Sequence, residues 1–365
     1  MAKVSFRNVW KKYGEMPAVK DLNIECPDGS FLSILGPSGC GKSSTMRMVA
    51  GLEHITSGQI LFDEKPINEL APKDRDVAMV FENYALYPHK TVFENMANPL
   101  KLRGQDTAKI KERVTAAAKL LEIGHLLERR PQELSGGQKQ RVAIGRAIVR
   151  EPNLFLFDEP IAHLDAKLRA HMRGEIKHLQ RTLGTTMIYV THDQLEAMSM
   201  ADTIAVMHDG ELQQLGTPRE VYNKPVNAWV AGFVDEPAMN FVDVKLEDKA
   251  GTTHFVHPNF SIPVLGEQQQ LIAKGSRPNT LRMGVRPDAL SISMAKPSAD
   301  CITGMIFVTE LLGGDMIIDV DLEDSRIRVK TTNTEFDGAE GQTCYMTINR
   351  DKWHAFSKEN GKALF

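Results

Sequence analysis

Phe31-Leu-Ser-Ile-Leu35, followed at once by Gly36-Pro-Ser-Gly-Cys-Gly-Lys-Ser43 and then by the apolar-periodic stretch Lys42 to Ala50, is the segment on which the fold turns. A short run that is apolar on both faces reads as a buried strand, and the glycine-rich octapeptide after it has the phosphate-loop spacing in the required strand, loop, helix context. The chemistry explains the spacing. Gly36, Gly39 and Gly41 let the loop turn its N–H groups inward around phosphate oxygens, with Pro37, Ser38 and Cys40 as the intervening residues, and the helix start adds its positive dipole end. Lys42 then neutralises terminal phosphates, Ser43 offers its hydroxyl to Mg²⁺, and Ser44 is a further phosphate contact. Cys40 is expected to be a small loop residue whose thiol, beside a bound phosphate, is open to alkylation.

Working outward, the runs Val77 to Val80, Leu154 to Phe157, Thr186 to Val190 and Thr203 to Met207 alternate with helical patterns at Thr107 to Leu121, Gly137 to Val149, Lys167 to Leu183 and Gln194 to Met200. Such alternation predicts a mainly parallel sheet with helices packed on it. Beyond Asp235-Glu236-Pro237 the texture changes to short alternating segments, Phe241 to Leu246, Met316 to Leu322 and Arg326 to Lys330, separated by Gly, Pro, Asn and Asp. The expectation is an α/β domain over residues 1–235 and a small all-β domain over 236–365, with room for two short β units in the latter.

The chain has 365 residues, enough for two domains, and its 44 basic and 47 acidic residues leave a net charge of −3. That balance offers no footprint for a nucleic-acid backbone. Four cysteines without a CxxC pair suit a reducing compartment. With no run of about eighteen apolar residues, the chain is expected neither to enter nor to cross a membrane by itself.

Leu154-Phe-Leu-Phe157 delivers Asp158 and Glu159 at a strand end, where α/β sheets place ligands. Asp158 is assigned to Mg²⁺, and Glu159 to the general base that polarises the water attacking a γ-phosphate. Leu134-Ser-Gly-Gly-Gln138, twenty residues before Asp158, opens another helix with glycine-exposed N–H groups, a second anion-binding helix start.

With these motifs in order the sequence resembles the ATP-binding-cassette family over residues 3 to about 235. The resemblance implies a P-loop cassette with a helical subdomain. It also implies ATP held between two subunits: Ser135, Gly136, Gly137 and Gln138 of one chain contact the γ-phosphate bound to the other, and Tyr13 stacks on adenine. His192, in Tyr189-Val-Thr-His-Asp193, matches the family's switch histidine, and Asp165 the aspartate of the loop after the acidic pair. Val80-Phe-Glu-Asn-Tyr-Ala-Leu-Tyr-Pro-His89 is similar to the segment that meets membrane subunits in importers of sugars, glycerol phosphate and related polyols. Arg282-Met-Gly-Val-Arg-Pro-Asp288 and Ile348 to Phe356 are similar to the oligonucleotide/oligosaccharide-binding-fold-like regulatory domain of maltose-type ATPases.

The function so implied is ATP hydrolysis that energises uptake of a carbohydrate, polyol or glycerol-phosphate-type solute. The implied partners are two membrane permease subunits and, indirectly, a solute-binding protein, and the implied place is the cytoplasmic face of the membrane. Two departures lie at the site: Glu82, where the family has glutamine and where a nucleotide and Mg²⁺ contact is expected, and Ala162-His163 before Leu164-Asp165, where it usually has Ser-Asn. They leave open a tolerated variant in a homodimer, or a partly degenerate, mainly regulatory half of a heterodimeric pair. Importers of other small solutes, cassette ATPases acting on nucleic acid, and a regulatory binding module are the competing readings. The single phosphate loop and near-neutral charge argue against nucleic acid.

Overall fold

The computed structural model describes residues 2–249, 251–266, 269, 280–298 and 300–364. Contacts divide the chain into Met1–Pro218 and Arg219–Phe365.

In the first unit, β1 (Val4–Tyr13) and β2 (Met16–Cys26) form an antiparallel sheet with β4 (Ser57–Phe62) and β5 (Lys65–Pro66), in the order β2-β1-β4-β5. This sheet was not legible as such in the sequence. Its strands alternate apolar and charged residues, and register shifts interrupt β1 three times against β2, so the period of two is broken. The second sheet carries the expected parallel strands: β3 (Phe31–Leu35), β6 (Val77–Val80), β7 (Leu154–Asp158), β8 (Thr186–Thr191) and β9 (Thr203–His208), with β10 (Glu211–Gly216) antiparallel at one edge. The order is β10-β9-β3-β8-β7-β6. All five residues of β3 and all six of β8 are buried, as strands covered on both faces must be. Burying Phe155 and Phe157 contributes roughly 1.5–3 kcal/mol each.

The helices α1 (Lys42–Ala50), α2 (Val92–Leu102), α3 (Thr107–Leu120), α4 (Gly136–Ile148), α5 (Ala166–Leu183) and α6 (Gln194–Met200) connect these strands. Five match the expected stretches to within a residue or so. The sequence reading missed α2, which contains Pro99 yet is started by a capping box between Thr91 and Glu94. Gly36, Glu82, Glu159 and His192 follow the carboxyl ends of β3, β6, β7 and β8, and Asp158 closes β7. These four strands are neighbours in the sheet, so one edge collects every expected phosphate, metal and base residue of the parallel sheet.

The second unit starts earlier than the expected boundary at 235/236. The helices α7 (Pro218–Asn223) and α8 (Ala228–Phe233) adjoin residues of the β-rich part. The reason is Arg286, which is 3% exposed. Its guanidinium donates to the carbonyls of Val234 (2.8 Å) and Tyr222 (2.6 Å) and stacks 3.7 Å from the Tyr222 ring. An arginine within the Arg282 to Asp288 motif thus clips the preceding helices to the β domain. Among the described residues that domain comprises two five-stranded antiparallel sheets that share an apolar core. One holds β11 (Asn240–Lys249), β12 (Thr252–His257), β13 (Phe260–Pro263), β14 (Thr280–Val285) and β20 (Trp353–Ser357). The other holds β15 (Leu290–Ser293), β16 (Ile302–Leu312), β17 (Asp315–Asp321), β18 (Arg326–Thr331) and β19 (Thr343–Ile348).

Candidate functional site

The phosphate loop owes its shape to glycine. Gly41 caps α1 at φ 101°, and a Cβ there would lie 2.4 Å from the Ala18 carbonyl oxygen; one on Gly36 would lie 2.3 Å from that of Met207. Lys42 is 4% exposed and its ammonium donates to the carbonyls of Gly36 (2.9 Å) and Pro37 (2.8 Å). An ammonium has three donors, so one remains to meet an anion in the loop while the other two hold its curvature.

Ser43 donates to Asp158 Oδ1 at 3.3 Å. Burial pushes the Asp158 carboxyl above its ordinary value; the Ser43 hydroxyl and Arg47 oppose this, while Glu159 and Glu82 add to it. A hydroxyl and a carboxylate side by side, the latter short of positive charge, are a hard oxygen donor set suited to Mg²⁺, which keeps several waters and phosphate oxygens as its remaining ligands. Glu159 stands at φ 45°, and its Oε2 lies 2.8 Å from His192 Nδ1. The expected base and the expected switch histidine are therefore in hydrogen-bond contact in one chain.

Ser135 and Gln138 close a capping box: the Ser135 hydroxyl accepts from the Gln138 amide (3.4 Å) and the Gln138 side chain accepts from the Ser135 amide (3.0 Å). The amides of Gly136 and Gly137 lie between them at the helix start. A Cβ on Gly136 would come 3.1 Å from Leu164 Cδ2. Tyr13, 49% exposed, bonds through its hydroxyl to Ser44 (3.1 Å) and to Glu53, and Lys11 lies 4.6 Å from its ring centroid. One ring face is therefore flanked by a cation. Asp165 caps α5 by accepting from the Leu168 amide at 2.9 Å.

Cys40 departs from the expectation of a reactive thiol. It is 2% exposed, and burial raises its thiol above the ordinary value despite the opposing pull of Lys42. We therefore expect less than one equivalent of iodoacetamide to enter the folded chain at neutral pH, with or without nucleotide, measured by intact mass; all four cysteines are buried and free. Rapid modification at Cys40 would contradict this.

Several residues of the site escaped the sequence reading. Arg169 donates to the carbonyls of Ala162 and Leu164 (3.2 Å each) and to Asp193 (3.2 Å), tying the loop after Glu159 to the residue beside His192. Glu196 accepts from Tyr189 (2.9 Å) and Thr191 (2.7 Å), and its carboxyl is raised, first by burial. Its spacing from Asp193, whose side chain accepts from the Glu196 amide at 3.0 Å, was the available signal. Arg146 donates to the carbonyls of Tyr84 (3.1 Å) and Ala85, both left-handed at φ 61° and 46°, and so ties α4 to the loop of residues 81–89. In that loop Tyr84 and Leu86 are partly covered, while Tyr87, Pro88 and His89 are exposed. The fully buried Asn95 anchors the backbone of Tyr87 through 2.8 Å and 3.1 Å hydrogen bonds.

Among the described residues, no helix is long and apolar enough to cross a membrane. The family profile described as ABC transporter matches residues 19–162. The chain is 45% identical to the trehalose/maltose import ATP-binding protein MalK of Thermococcus litoralis over 100% of both chains. It is 50% identical to the sn-glycerol-3-phosphate import ATP-binding protein UgpC of Bordetella avium, over 87% of this chain and 85% of that one. The solved dimeric structure of MJ0796, a bacterial ABC transporter cassette, superposes with a TM-score of 0.53 at 32% identity, covering 59% of this chain and 99% of that one.

Proposed function

This chain belongs to the ATP-binding-cassette transporter family and is an ATP-hydrolysing subunit of an importer, and from that premise we propose how its own residues bind and cleave the nucleotide and what they energise. The observation that carries the proposal is the meeting of Lys42, Ser43, Asp158, Glu159 and His192 at one sheet edge, with the contacts given above.

Residues Gly36 to Ser44 cradle the phosphates, Lys42 turning its third donor toward them, and the half-exposed Tyr13 ring takes the adenine. Ser43 and Asp158 would hold Mg²⁺, with Glu82 near enough to Asp158 to affect its charge. When bound, the ion neutralises charge that develops on the phosphate oxygens. Glu159 takes the proton of the attacking water, and His192, bonded to it, fixes the carboxylate's orientation. A second chain supplies Ser135, Gly136, Gly137 and Gln138 to the γ-phosphate. Two separate anion-binding helix starts in one cassette, of which a nucleotide held in cis can saturate one, favour such a sandwich.

The two relatives named above act in import of trehalose/maltose and of sn-glycerol-3-phosphate, and we extend this to a carbohydrate, polyol or glycerol-phosphate solute for this chain. It works from the cytoplasmic face with two permease subunits that receive the solute from a binding protein, while residues 219–365 regulate the cycle. Deleting the chain and following uptake of labelled maltose, glycerol and glycerol 3-phosphate tests the solute class: loss of none of the three would overturn it.

The permeases dock on the loop of residues 82–89. Tyr87 is 40% exposed, its backbone is fixed by Asn95 and its ring is steadied by Lys90 at 4.5 Å and Arg146 at 5.9 Å from the centroid, so the part of the ring left uncovered is a pre-ordered surface for a partner. Tyr87→Asp is expected to reduce transport by the assembled complex about tenfold or more while leaving the isolated chain's ATP affinity within about twofold. Parallel loss of both would make the loop merely structural.

A further inference from the structure

The two departures from the family pattern, Glu82 and Ala162-His163, are far apart in sequence and meet in the fold: His163 Nε2 lies 3.3 Å from Glu82 Oε1. One side chain stands in the loop after β6 and the other in the loop between β7 and α5. They are 49% and 61% exposed, so neither is held by packing, and an exposed pair of this kind adds little to the stability of the fold. Their backbones are fixed more firmly. Arg169 holds the carbonyls on either side of His163, and Arg146 holds the two residues that begin two positions after Glu82.

We propose that His163 is a positioning residue for Glu82, and that the two side chains form one tie between the permease-facing loop and the loop that follows Glu159. A carboxamide both donates and accepts, whereas a carboxylate only accepts. Glutamate at position 82 therefore gives up the N–H donors of an amide, and the Nε2 of His163, 3.3 Å away in the same chain, supplies a contact that holds the acceptor-only carboxylate in place without replacing those donors. Drawing the carboxylate toward His163 also fixes its place relative to Asp158, which already feels its charge. The inference rests on the proposed ATP sandwich.

The test is a double-mutant cycle on the full chain with Glu82→Gln, His163→Ala and both, reading two quantities. One is ATP turnover by the assembled transporter. The other, in a Glu159→Gln background, is the ATP concentration needed for half-maximal association of the purified chain. Each single change is expected to lower turnover and raise that concentration, by about tenfold, and the double change to be no worse than the poorer single. His163→Gln, which keeps a donor, should recover part of the loss. Losses that multiply in the double variant, or a His163→Ala chain equal to the parent in both quantities, would overturn the tie. Association of the Glu159→Gln chain with both partners intact, measured alongside, separates failure of the tie from failure of the sandwich.

Discussion

Glu159→Gln is expected to lower ATP turnover about 10²–10⁴-fold while leaving ATP affinity within a few-fold of the parent. The size follows from what the substitution keeps and removes. Glutamine has the same shape and can still accept a bond from His192 Nδ1, now 2.8 Å from the carboxylate. It cannot take a proton. In the proposed site Lys42, Ser43 and Asp158 bind phosphate and metal through side chains that the substitution leaves in place, so the nucleotide is expected to be captured still and the closed pair of subunits to persist. Single-turnover phosphate release, run beside equilibrium binding of labelled ATP, separates the two effects. Turnover at the parental rate would place the base elsewhere at the same sheet edge.

Lys42→Ala is the second large effect, and it strikes binding first. The ammonium is nearly buried and engages two loop carbonyls, so truncation removes the charge proposed to meet the phosphates and also the side chain that braces the loop. A charge-assisted hydrogen bond contributes about 1.5–3 kcal/mol, which corresponds to roughly 10- to 150-fold in ATP affinity for one such contact. Turnover should fall further, since the same charge acts on the transition state. Lys42→Arg is not expected to rescue: a planar fork is bulkier than an ammonium, and there is little room beside the Gly36 and Pro37 carbonyls. Equilibrium dialysis, with circular dichroism to verify the fold, measures it. ATP affinity equal to the parent's would contradict the phosphate-binding assignment.

The parts of this protein that could be read from sequence are those in which a local pattern decides the structure. Strands β3, β6, β7, β8 and β9 are short and apolar because both faces are covered, and Gly36 to Ser43 has a spacing that backbone geometry itself demands. The β1–β2 sheet escaped because bulges break its alternation, and α2 because of Pro99. The supporting residues were hidden for another reason. Arg146, Arg169 and Glu196 act through partners brought near only by the fold, and nothing in their immediate neighbourhood marks Arg146 as the tie to residues 84 and 85. The same holds for Glu82 and His163, each legible as an oddity and neither as half of a contact. The solute is a different case: in the proposed arrangement it passes through other subunits and never touches this chain, so no residue here is shaped by it.

The central claim is that ATP is held between Lys42 of one chain and Ser135 of another, and complementation between two defective chains tests it most directly. In a Glu159→Gln background, a Lys42→Ala chain and a Ser135→Arg chain are each expected to retain little labelled ATP after rapid filtration. Mixed, they can form a pair in which Lys42 and Ser135 are both intact at one of its two sites. The account predicts that the mixture retains nucleotide well above either chain alone, approaching about one per mixed pair. Retention no greater than the sum of the separate chains would show that the nucleotide is not shared across two subunits.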